Sequence, residues 1–273
     1  MTIAGADCHA HVFNPKRFPY RASEIYTPHP SQEGTPAKFL AVLDAHGLSH
    51  ALLVGANPYG HDNSCLLDAI ANSNQRFKGI ALVPHNVSEA EIARLKAGGV
   101  VGTRLNLFNQ GLAPLTDPTA PALLAKLKEA DWFAQIQCKE DQLAEVMPIL
   151  QKSGVRVMID HCGRPSAKRG VQQKGFQALL ELGRSGNHVV KLSGTFRFSE
   201  EPYPHRDADP FIAALADAFT LEHCVWGSDW PFVRMDERMD YGPGFANLAR
   251  WFPDSSDRRK ILADTPASLF GFR

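Results

Sequence analysis

The sequence carries no excess of charge: Lys and Arg together number 29, and so do Asp and Glu. Without a net field, nothing draws the whole chain to nucleic acid or to an anionic membrane surface, so any affinity for anions is local. No apolar run reaches the length needed to cross a bilayer. The opening Met1-Thr2-Ile3-Ala4-Gly5-Ala6-Asp7 has no basic segment followed by an apolar stretch, so a cytoplasmic protein without a secretory signal is expected. Cysteine is scarce and unpatterned. Cys8, Cys65, Cys138, Cys162 and Cys224 form no Cys-X-X-Cys pair, and their odd count argues for buried free thiols. No glycine-rich phosphate loop follows any apolar run. No internal repeat or low-complexity linker divides the chain.

What is present is an alternation. Apolar runs read as strands over 6–12, 51–56, 79–84, 100–107, 132–138, 156–162, 188–193 and 224–229. Most are continuously apolar, as parallel strands covered on both faces are. Helical patterns fall between them. Thr35-Pro36 opens one that Gly47 can close. Ser88-Glu89-Ala90-Glu91 reads as a capping box. Further helices are expected over 63–77, 118–130, 141–153, 174–185, 210–219 and 255–269. A chain of 273 residues, 44% hydrophobic, built this way is expected to be one α/β domain over 1–273, a (β/α)8 TIM barrel. A doubly wound open sheet is the alternative, disfavoured by the missing phosphate loop. The irregular stretch 14–34, holding Arg17, Arg21, Tyr26 and His29, is too long for a simple connection and reads as an active-site loop.

In such a barrel chemistry collects at the C-terminal strand ends. The first strand ends in His9 and His11, which share a face because side chains alternate with period two. The sixth brings Asp160 and His161, with Arg164 just beyond. The eighth brings Asp229. Together His9, His11, His161 and Asp229 form a catalytic constellation, with or without a metal. The fourth strand offers Arg104, the fifth Gln135 and Gln137, the seventh Lys191, Ser193 and then Arg197. Asp7 and Asp160 read as residues that orient rings or close turns. His188 and His223 read as structural. His61 is balanced between a polar loop before a helix and a substrate contact. Arg104, Arg164 and Arg197 come from different strand ends and can surround one ligand. Guanidinium groups grip carboxylates through paired N–H donors, so a small dicarboxylate is the simplest partner and phosphate the competing one.

These pieces resemble the amidohydrolase superfamily, in the branch called amidohydrolase-2. The resemblance rests on Asp7-Cys8-His9-Ala10-His11, Tyr26-Thr27-Pro28, Gly102–Asn106, Asp160–Pro165, Lys191-Leu192-Ser193-Gly194 with Arg197, and Trp226–Pro231. It runs to Thr265-Pro266-Ala267-Ser268-Leu269-Phe270-Gly271. Within the branch it is strongest to the lactonases of 2-pyrone-4,6-dicarboxylate and of sugar acids. It implies a hydrolase acting on a carboxylic ester, with Asp229 as general base and His9, His11 and His161 holding water or polarising the lactone carbonyl. It implies Arg104, Arg164 and Arg197 as a carboxylate clamp, and Tyr26 as a substrate contact with His61 beside it. A binuclear metal site of this superfamily takes Lys or Glu on the fourth strand and His on the fifth, where this chain has Arg104 and Gln137. No cofactor is therefore expected, and a single zinc on His9, His11 and Asp229 is the alternative. The rival activities are a sugar-acid lactonase, a lactone isomerase, and a zinc-dependent decarboxylase. A non-catalytic binding barrel is the remaining rival. The expected partner is a small anionic substrate, with no nucleic acid and no membrane, for a monomer or homodimer.

Overall fold

The computed structural model describes residues 3–21 and 26–273. Eight parallel strands follow one another round a nearly closed barrel, each laddered to the next in chain order. They are β1 (Ala6–Ala10), β2 (His50–Val54), β3 (Phe77–Ala81), β4 (Val100–Asn106), β5 (Phe133–Gln137), β6 (Arg156–Ile159), β7 (Val189–Ser193) and β8 (Cys224–Gly227). The helices are α1 (Pro36–Ala45), α2 (Ser64–Ala71), α3 (Glu89–Ala97), α4 (Leu107–Gln110), α5 (Ala113–Thr116), α6 (Ala120–Glu129), α7 (Gln142–Ser153), α8 (Lys174–Arg184), α9 (Asp209–Phe219), α10 (Tyr241–Trp251), α11 (Ser255–Arg259) and α12 (Thr265–Phe270). No helix among the described residues is long and apolar enough to cross a membrane.

The strands are buried nearly throughout because helices cover their outer face and side chains fill the inside. Inside, Leu52, Val54, Ile80, Phe133, Met158, Val189 and Val225 fill the N-terminal end of the barrel, and Ile3, Phe270 and Phe272 plug it from below. The polar side chains are left to the other end. All five cysteines are buried and unpaired.

Local chemistry explains where the helices begin and stop. Thr35 Oγ1 accepts from the Lys38 N–H at 3.3 Å, with Pro36 in the first turn. Ser88 Oγ accepts from the Glu91 N–H at 3.1 Å. Only that half of the expected capping box forms, because the Glu91 carboxylate pairs with Arg94 instead. α2 ends well before 77: Asn72 Nδ2 bonds back to the Asp68 carbonyl at 2.8 Å, and Asn74 and Gln75 take left-handed backbone. The helix expected over 255–269 is broken by a π-helical turn at Lys260–Asp264. α10 has no counterpart in the sequence reading.

β8 does not ladder to β1 along its length. The seam closes just above β8, where the Asp229 N–H donates to the His9 carbonyl and the His11 N–H to the Trp230 carbonyl, both at 2.8 Å. Barrel closure and placement of Asp229 against His9 are thus the same pair of hydrogen bonds.

Candidate active site

β1 aims its histidines through a bulge. Asp7 pairs with Ala51, but Ala10 pairs with Leu53, one residue out of step. Below the bulge Ala6 and Cys8 pack into the barrel interior. Above it the alternation is reversed, so His9 and His11 face inward too. Asp7 secures the seam. Its Oδ1 accepts from the His9 and Ser228 N–H groups at 3.0 Å each, and its Oδ2 from the Tyr241 hydroxyl at 3.0 Å. Burial nevertheless pushes its carboxyl up to about 6. Gly227 leaves room for β1, since a Cβ there would stand 2.6 Å from His9 Cβ.

Three imidazoles ring the Asp229 carboxylate. His9 Nε2 and His11 Nε2 each lie 3.7 Å from Oδ1, and His161 Nε2 lies 3.7 Å from Oδ2. Arg197 Nε makes an ion pair with Oδ2. Burial opposes the charge on Asp229, but Arg197 and the histidines outweigh it and hold the carboxyl well below the usual carboxylate range. Burial also lowers the histidines, His11 to about 4 with Arg104 adding to the effect. His11 Nδ1 lies 2.8 Å from the Val54 carbonyl, which only accepts, so that nitrogen carries the proton. Its Nε2 therefore presents a lone pair towards Asp229 Oδ1. Two acceptors facing across 3.7 Å define a place for a water or a cation.

Beneath lies a fully buried polar layer. Lys191 Nζ donates to Gln135 Oε1 at 2.7 Å and lies 3.3 Å from Asp160 Oδ1. Gln135 Nε2 donates to Asp160 Oδ2 at 2.9 Å. His9 Nδ1 stands 3.2 Å from Asp160 Oδ1 and 3.3 Å from Lys191 Nζ. Burial lowers Lys191 from its ordinary value, and Asp160 works against it. His161 Nδ1 is held 3.0 Å from Ser193 Oγ. Each catalytic-candidate imidazole is thus anchored on the ring nitrogen away from Asp229.

Arg104, Arg164, Arg197, Tyr26, Gln137, His11, His161 and Asp229 all line one pocket. His9 lies just under its floor. His61 lines a neighbouring cleft with His85 instead, and Arg104 and Asn57 stand between the two. Asn106 faces that cleft as well and caps α4 through the Asn109 N–H. Sequence reasoning missed Arg234, Phe108, Asn57 and Asn109 on the pocket wall. No motif marks them, and their only signal was position after β2, β4 and β8. Of the long first loop, Tyr26 reaches the pocket, and residues 22–25 lie outside the described residues.

His9, His11 and Asp229 present their ligand atoms within 4.8 Å of one another, all buried. His9 Nε2 has no hydrogen-bond partner. With Asp160 and the Val54 carbonyl behind the two rings, this donor set fits a divalent ion with an open position.

The sequence profile of the amidohydrolase family matches residues 6–272. A 4-sulfomuconolactone hydrolase of Rhizobium radiobacter is 34% identical over 271 residues, 97% of this chain and 89% of its own. A 2-pyrone-4,6-dicarboxylate hydrolase of Comamonas testosteroni is 27% identical over 279 residues, 98% and 90% of the two chains. The crystal structure of a probable 2-pyrone-4,6-dicarboxylic acid hydrolase from Acinetobacter baumannii, with citric acid bound, superimposes with a TM-score of 0.90. It is 30% identical and the match covers 98% of this chain and 100% of that one.

Proposed function

The chain belongs to the amidohydrolase family, and from that premise and the site's geometry we propose that it hydrolyses a lactone ring in a small dianionic acid of the 2-pyrone-4,6-dicarboxylate type. The observation that carries this reading is a single carboxylate, Asp229, ringed by three imidazoles on a wall that bears four arginines.

In the reaction a water sits between Asp229 Oδ1 and the His11 Nε2 lone pair. Asp229 takes its proton as the oxygen adds to the lactone carbonyl. The new oxyanion is stabilised by imidazole and guanidinium donors. The bond from the acyl carbon to the ring oxygen then breaks, and the proton on Asp229 passes to the departing oxygen. A carboxylate held as low as Asp229 is a weak base. A substrate anion that draws the Arg197 guanidinium away from Oδ2 raises its proton affinity, so binding and activation of the base are coupled through one arginine. Arginines on several sides fix the ring, which makes attack effectively unimolecular. If zinc is bound by His9, His11 and Asp229, it supplies a more acidic water at the same place.

The test follows the ultraviolet band of 2-pyrone-4,6-dicarboxylate, with 4-sulfomuconolactone assayed in parallel, using protein treated with chelator and the same protein with zinc restored. Loss of either substrate supports the reading, and the chelator arm assigns the metal. No turnover of either lactone in both arms overturns it. The small substrate and the balanced charge of the chain are in keeping with a catabolic enzyme of the cytoplasm.

A further inference from the structure

Arg234 stands in the loop after β8, on the wall of the pocket. Its guanidinium carbon lies 5.7 Å from the ring centre of Tyr26 and 6.0 Å from that of Phe108. Phe108 is already covered by Arg164 at 4.0 Å. Arg164 and Arg234, from the loops after β6 and β8, thus both approach Phe108, with Lys139 Nζ also 5.5 Å from its ring centre. Arg234 donates to Asn109 Oδ1 at 3.2 Å. Among the described residues no carboxylate pairs with either arginine. Arg197 is engaged with Asp229, and Arg104 donates to the Gly55 carbonyl at 2.9 Å and to Asn57 Oδ1 at 3.3 Å.

Like charges gathered on one pocket wall repel, and an anion between them relieves the repulsion. Burial lowers Arg164 to about 10, with Arg197 and Arg234 adding to the effect. The loops that carry these side chains turn through left-handed residues. His161 and Asp229 take left-handed φ values of 51° and 64°, and Arg164 and Arg234 do so at 45° and 63°. A residue with a Cβ costs on the order of 1–2 kcal/mol in that region. Left-handed backbone also occurs away from the pocket, at Gln75, Asp131, Glu140 and Thr220 among others, so the contacts at Phe108 carry the reading.

We propose that Arg164 and Arg234 form the receiving site for one of the substrate's two anionic groups, and that Arg234 sets a preference for lactones with a second negative charge. Carboxylate or sulfonate oxygens accept N–H bonds from both guanidinium groups there, with Phe108 as the platform behind them. The proposal rests on the lactonase reading for its substrate, and the binding arm of the test does not.

The variant is Arg234→Gln, with thermal melting as the check on folding. Kinetics are run on 2-pyrone-4,6-dicarboxylate and on the two singly carboxylated pyrones. The expected result is a KM rise of about tenfold, the equivalent of 1.4 kcal/mol, for the dicarboxylate and for only one of the two mono-acids, the one that keeps the group Arg234 receives. The mono-acid that lacks it changes less than about twofold, well under that increment. Equal changes for all three, or none, overturn the proposal. Calorimetry with benzene-1,3-dicarboxylate and benzoate, which do not react, reads the same site without turnover. Selective weakening of the dicarboxylate in Arg234→Gln supports the proposal even if every lactone proves inert, in which case the lactonase reading alone falls. Equal affinity of the unsubstituted protein for both probes removes the second anion site.

Discussion

Asp229 is placed so that its own backbone hydrogen bond closes the barrel while its side chain faces the pocket. Asp229→Asn separates the two duties. Asparagine tolerates the left-handed backbone of this position, so melting should stay close to that of the unsubstituted protein. Turnover should fall by about 10²–10⁴-fold, the usual reach of general base catalysis. Retained turnover would remove Asp229 as the base. The pH profile belongs to this scale too. Burial holds His11 near 4 in the folded protein against an ordinary 6.5. His11 therefore keeps its lone pair until well below 6.5, and kcat/KM should stay level through that point and halve near 4. The unfolded chain binds the proton first, so the same shift removes stability as pH falls from 6.5 towards 4. An acid limb near 6.5 would mean that a more solvated imidazole governs the rate.

At the scale of elements, the seam between β8 and β1 depends on Gly227. A Cβ there meets His9 Cβ at 2.6 Å and His9 N at 2.8 Å, so the strands must part. Gly227→Ala should lose about 1–3 kcal/mol in chemical denaturation and lower kcat, because Asp229 is bonded to His9 across the same seam. Unchanged stability and kcat would show that the seam yields without moving the site. The strands were legible because parallel, doubly covered strands are written as apolar runs, and the strand-end His9, His11, His161 and Asp229 were legible by their positions on them. The bulge in β1 was not, because nothing in Cys8-His9-Ala10 departs from strand composition. α10 was hidden because Tyr241-Gly242-Pro243-Gly244 reads as a turn. His61 was drawn towards the site by its place after β2, yet the loop carries it into the next cleft. Arg234 escaped notice because its importance lies in sharing Phe108 with Arg164, a contact across two loops that no spacing records.

For the molecule as a whole, the apolar plug and the polar pocket occupy opposite ends of the barrel. Phe272 is buried at the plug with Ile3 and Phe270. Phe272→Ala should cost about 3–5 kcal/mol and leave KM unaltered in assays below the transition, and a KM shift would reveal strain carried along the strands. The five thiols offer a view of how such a barrel comes apart. Cys8 lies in β1, Cys65 in α2, Cys138 just past β5, Cys162 in the loop after β6 and Cys224 in β8, all buried. Burial raises their thiol pKa values, so little reactive thiolate exists while the fold is closed. An alkylating reagent then reaches each one only when its own segment opens. The natural sequence thereby holds five internal clocks spaced round the ring, and the order in which they are alkylated as denaturant rises reads out which strands part first.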